Sequence, residues 1–125
     1  MKALVIPTSV ASSMKIVELS ENQLQSFYKI IGCRVIDYLT LGSKGSLAID
    51  AVIDDEALLQ QCPVANQRFC IAYCEGLIHC PIFGTVVIVM TNENTGETTE
   101  LNLQNVKQLL TSQYGFSPND FPSEV

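Results

Sequence analysis

Few residues in this chain could do chemistry, and their types and spacing limit which reactions are open. Cys70, Cys74, His79 and Cys80 put four soft ligands within eleven residues, and the first two share one face if the segment is helical. Such a set suits zinc. The spacing lacks the two-residue knuckles of common structural zinc sites, so buried thiols beside an incidental histidine explain it as well. A thiol enzyme needs a cysteine with a lowered pKa and a base within reach. His79 is the single histidine; spacing does not bring Cys33 or Cys62 to it, and Cys80 points the other way if the two share a strand. Asp54-Asp55-Glu56 could hold a hard cation or serve as general acid and base. No spaced calcium loop surrounds the three, and a solvated helix start uses the same residues.

The seven glycines are isolated and form no phosphate loop, so nucleotide hydrolysis has no support and no cofactor is expected. Pro63 to Arg68 is a polar segment ahead of an expected helix, where Asn66 is a candidate cap. The sharper reading places Tyr38, Asn66 and Arg68 in one ligand pocket, with the guanidinium binding a carboxylate or phosphate.

Composition narrows the setting. With 125 residues, 47% apolar and 16% charged, the chain has the length and the apolar content of one folded domain. The net charge is −6, and the seven cations are scattered from Lys2 to Lys107, so no basic run exists to neutralise successive phosphates and nucleic acid is not an expected partner. The run Val86 to Met90 falls far short of the roughly 20 apolar residues a membrane helix needs, so no membrane span is expected. The opening Met1 to Pro7 is too short for a secretory signal. Five cysteines cannot all pair, which favours a reducing cytoplasm.

The elements that must position these residues follow from periodicity. Lys2–Pro7 and Met14–Leu19 read as an opening hairpin. Ser20, with Gln23 three residues on, is the expected cap of a helix whose stripe is Leu24, Phe27, Tyr28 and Ile31, ended by Gly32. Cys33–Leu41 and Leu47–Ala51 read as strands joined by a turn at residues 41–45, the second with one wet face. A helix over Ala65–Glu75 ends at Gly76. Phe83–Thr91 is continuously apolar and is expected at the centre of the sheet. Glu97–Leu101 reads as an edge strand, and Leu103, Val106 and Leu110 mark a last helix ended by Gly115. The expectation is an α+β fold, a mainly antiparallel sheet of about five or six strands with two or three packed helices. Residues 1–115 form the domain, and 116–125 a flexible tail.

Met1-Lys2-Ala3-Leu4-Val5-Ile6-Pro7, Ile31-Gly32, Asp54-Asp55-Glu56, Pro63-Val64-Ala65-Asn66 and Ile82 to Val89 occur in an order that resembles a small bacterial and phage family. That family is domain of unknown function three-eight-four-six, and the resemblance covers residues 1 to about 90. It implies a small cytoplasmic protein carried on phages and mobile elements, without an established reaction and without catalytic residues to transfer.

One histidine, no phosphate loop and no triad favour a non-enzymatic binding or accessory protein acting on a host protein or a small ligand. A small thiol- or carboxylate-dependent enzyme is the first alternative, and a zinc-binding module the second. The edge strand near Thr98 to Leu101 also offers a surface for a homodimer.

Overall fold

A computed structural model describes residues 1–123. Six strands form one antiparallel sheet among the described residues, flanked by three α-helices. The strands are β1 (Lys2–Ile6), β2 (Lys15–Glu18), β3 (Ile36–Lys44), β4 (Leu47–Asp54), β5 (Val86–Asn92) and β6 (Thr98–Thr99). The helices are α1 (Gln23–Ile31), α2 (Gln67–Cys74) and α3 (Leu103–Tyr114). The expected α+β class and antiparallel sheet are what the chain forms.

The lateral order is β2-β1-β5-β4-β3, and β6 joins the same edge of β5 that β1 occupies further back. β5 is therefore central, as its unbroken apolar run predicts, and Val86 to Met90 are all buried to 0% exposure. Alternate residues of the strands feed two cores. Leu4, Ile6, Ile49, Ile88 and Met90 face α2 and α3 and pack with Phe69, Val106 and Leu110. Ala3, Val5, Val52, Val87 and Val89 face α1 and pack on Phe27. Each such side chain removed from water contributes about 1.5–3 kcal/mol, so α1 is held chiefly by Phe27 and the half-buried Ile30 and Ile31.

Several local expectations are corrected. The cap of α1 is Asn22, whose side chain accepts from the Gln25 amide at 3.2 Å; the Ser20 hydroxyl instead meets the Ser26 hydroxyl at 2.7 Å. Leu24, read as part of the apolar stripe, is 46% exposed and lines a surface cleft instead of the core. The β3–β4 turn is the Gly45-Ser46 pair, and strand β3 runs on to Lys44 past a bulge between Thr40 and Gly42. Gly42 is a strand residue under α3: a Cβ there would lie 2.8 Å from a Leu109 methyl. β4 has no wet face over its middle, since Ala48 and Asp50 are buried too. The edge strand after β5 shrinks to Thr98–Thr99.

Beyond Gly115, Phe116 is buried against Phe69 with ring centroids 5.2 Å apart, and Phe121 packs on the same core after a 3-10 turn at Pro118–Asp120. Glu124 and Val125, the end of the expected tail, lie outside the described residues.

Candidate functional site

Asn66 and Arg68 stand together at the start of α2, and both face the protein's interior. Asn66 is fully buried and occupies the cap position, yet its side chain makes no cap hydrogen bond. Its Nδ2 donates to the carbonyls of Ile6 at 3.1 Å, Pro7 at 3.3 Å and Gly84 at 3.0 Å. Three acceptors around one nitrogen fix the orientation of the carboxamide, and Oδ1 finds no donor among the described residues. Residues on both sides of Asn66 extend the junction: Ala65 bridges Phe83, and the Gln67 amide donates to the Thr8 carbonyl at 2.8 Å.

Arg68 is 6% exposed and plugs the β1–β2 connection. Its guanidinium donates to the carbonyls of Ser9, Val10 and Ser12 and to Asp120 Oδ2 at 3.4 Å. With these donors turned inward, Arg68 holds the loop and the C-terminal turn instead of offering an anion site. Tyr38 lies elsewhere, on the α1 side of β3, 49% exposed and edge-on to Phe27 at 6.5 Å. The fold thus brings two of the three candidates together and sets the third on the opposite side of the sheet.

The soft-ligand quartet does not close up either. Cys74, His79 and Cys80 are exposed, Cys70 is half-buried, and among the described residues no three His, Cys, Asp or Glu side chains gather in a metal-holding group. The acidic run is engaged locally. Asp54 accepts from the Glu56 amide at 2.9 Å and from Gln60 Nε2 at 3.0 Å, and Glu56 takes Arg34 at 2.7 Å. That guanidinium holds the Glu56 carboxyl below the usual glutamate range. These residues line a hollow of about 350 Å³ with Gly32, Cys33 and Leu59. Burial pushes the Cys33 thiol up and the Asp54 carboxylate adds to it, the reverse of what a nucleophile needs.

A different concavity combines the features expected of a binding site. A cleft of about 450 Å³ opens between the first turns of α1 (Gln23, Leu24, Phe27), the Gly96–Thr98 turn and Tyr38. Tyr38 belongs to β3 and Thr98 to β6, with β4 and β5 between them in the sheet, and Met1 completes the lining. On β4, outside the cleft's lining, Asp50 is in register with Thr40 of β3 and two residues from Ala48, the partner of Thr91. It is 7% exposed, and each carboxylate oxygen accepts a hydroxyl: Thr40 Oγ1 on Oδ1 and Thr91 Oγ1 on Oδ2, both at 2.8 Å. Burial pushes the Tyr38 hydroxyl pKa up, and the charges of Asp50 and Tyr28 push it further, so ring and carboxylate share one electrostatic environment.

Sequence reasoning missed Asp50, Thr40, Thr91 and Thr98. A usable signal existed in Asp50, a carboxylate inside the apolar run Leu47 to Ile53, where a charge carries a desolvation cost. The two threonines that satisfy it are 10 and 41 residues away, and only strand pairing brings them there.

The sequence model of the family described as Domain of unknown function (DUF3846) matches residues 1–114. No curated protein and no solved structure matches the chain.

Proposed function

We propose, for a chain that belongs to the family described as Domain of unknown function (DUF3846), that it is a non-enzymatic binding protein that takes a small ligand in the cleft between α1 and the β3–β6 half of the sheet. The observation that carries this reading is the cleft's construction. Its lining joins a half-exposed aromatic ring, Tyr38, to the apolar Leu24 and Phe27 and to the polar Gln23, Glu97 and Thr98. Sites of this kind, concave and largely preformed with few oriented polar groups, suit binding.

The other chemically able groups support binding over catalysis. Asp54 and Glu56 are committed to Gln60 and Arg34, the guanidinium of Arg68 is consumed by carbonyls, and the Cys33 thiol is raised. Free cysteines at five positions support a reducing, cytoplasmic setting. The ordered residue runs from Met1 to Val89 support an accessory role in phage or mobile-element biology.

The test is amide-resolved NMR with a library of small fragments of mixed charge. Bound fragments are expected to shift the signals of Leu24, Tyr38 and Thr98 together and to remain chemically intact. Fragments that map to other faces, or that are converted, would overturn the reading.

A further inference from the structure

We infer that the cleft's ligand is a neutral aromatic ring bearing a carboxamide, laid against Tyr38; this rests on the binding function proposed above and names its class of ligand. Four of the lining side chains are apolar or aromatic: Met1, Leu24, Phe27 and Tyr38. Met1 precedes β1, Leu24 and Phe27 belong to α1, and Tyr38 belongs to β3, so no single element builds this surface. Met1, Leu24 and Tyr38 are each close to half-exposed, and the buried Phe27 meets the Tyr38 ring nearly at right angles, at 86°. That contact steadies the tyrosine and leaves about half of it open to the cleft and solvent. An aromatic ring gains more there than a saturated one of equal size, because ring faces and edges attract beyond the area they bury. Leu24 and the flexible Met1 thioether can adapt to a ring lying on the tyrosine.

Charge and hydrogen bonding set the rest of the ligand. Glu97 is the one carboxylate of the lining, and no cationic side chain lies in it. The Met1 amino group is already held by Glu18 at 2.7 Å. A ligand anion therefore meets repulsion without a compensating partner. Glu97 is itself exposed and hydrated, so a cation gains little from it, and a neutral molecule is favoured. Three polar groups of the lining have spare capacity among the described residues. The Tyr38 and Thr98 hydroxyls make no hydrogen bond, and the Gln23 carboxamide reaches only the Met1 sulfur, 3.8 Å from Nε2. All three can donate and accept, which suits a carboxamide that presents a donor beside an acceptor. At Gly96 a Cβ would meet nothing within 4 Å, so the turn leaves the mouth of the cleft open to the ring's substituent.

The test titrates ¹⁵N-labelled protein with nicotinamide, its anionic counterpart nicotinate, and cyclohexanecarboxamide, which keeps the amide and loses the aromatic ring. Nicotinamide is expected to shift Leu24, Tyr38 and Thr98 saturably. Cyclohexanecarboxamide should bind about threefold to tenfold more weakly, and nicotinate about tenfold more weakly or worse. Tyr38→Leu should remove the preference for the aromatic ring, and Tyr38→Phe should keep it. Glu97→Gln, a change at an exposed site, should narrow the gap between nicotinamide and nicotinate while moving nicotinamide itself by less than about twofold. Equal binding of all three compounds, tighter binding of nicotinate, or an unchanged preference in Tyr38→Leu would overturn the inference and leave the binding cleft standing. Silence from all three would overturn the inference as well, and the binding cleft falls with it only if the mixed fragment library also leaves Leu24, Tyr38 and Thr98 unmoved.

Discussion

Replacing Asn66 by alanine tests whether this side chain is the rivet between β1, α2 and the start of β5. The substitution removes two N–H donors that three carbonyl oxygens share, one on Ile6 with the residue fully buried and two on Pro7 and Gly84 with the residues half-buried. An orphaned buried acceptor costs about 1–3 kcal/mol, so two lost donors cost about 2–6 kcal/mol. Against this, the buried and unpartnered Oδ1 disappears as well, which returns about 1–3 kcal/mol. Taking the middle of each range, about 4 less about 2, the net loss is about 2 kcal/mol. For 125 residues the unfolding entropy at the midpoint is about 0.26 kcal/mol per kelvin, so the melting temperature should fall by about 8 °C. Asn66→Asp should be worse than alanine by about 2 kcal/mol or more, since it turns a donor into a charged acceptor facing three carbonyls. Urea unfolding at neutral pH measures both, with an unchanged m-value showing that the folded and unfolded states are comparable. Gln67→Ala, which loses only an exposed contact to the Val10 amide, is the control and should cost under about 1 kcal/mol. A loss below about 0.5 kcal/mol for Asn66→Ala, or an aspartate as stable as the alanine, would refute the reasoning.

Arg68→Met should destabilise by about 2 kcal/mol and speed hydrogen exchange at Val10–Ser13, because three guanidinium hydrogen bonds hold that connection and a fourth ties in Asp120; Arg68→Lys should restore little, as one ammonium cannot reach all four acceptors. Unchanged exchange in the loop would count against that role. Tyr38 keeps its proton to higher pH when folded than unfolded, so its contribution to stability is complete below the ordinary tyrosine pKa of about 10 and is lost as pH rises through the folded value. Asp50→Asn should lower the Tyr38 pKa while leaving it above the ordinary value, since burial is the larger cause, and an NMR titration of the ring that shows no change would contradict the shared environment. Cys33 should react with a thiol reagent at neutral pH more slowly than the exposed Cys62, Cys74 and Cys80, and mass mapping of partly labelled protein checks the order; Cys33 labelled first would reopen thiol chemistry in its hollow.

Local patterning was enough for the α+β class, the opening hairpin, the central place of β5, and helices ended by Gly32 and Gly115, because each depends on periodicity or on a left-handed backbone that glycine adopts readily. It misjudged places where a neighbour distant in sequence decides. Gly42 read as a turn residue but is a strand position that admits Leu109 of α3. Leu24 read as part of the apolar stripe but is half-exposed at a cleft. Asn66 read as a helix cap or, with Arg68, as lining a ligand pocket, because polar residues near a helix start usually cap it or meet water; here the close of β1 and the 9–12 loop fold over them and turn every donor inward. The candidate site shows the same division most clearly. Asp50 could be singled out from sequence as a charge in an apolar run, but its meaning came from pairing: β3 and β5 bring one hydroxyl to each oxygen, and its charge acts on Tyr38 of the neighbouring strand. Side-chain type fixes what a group can do; which groups meet is set by strand order and helix placement, which no local window contains.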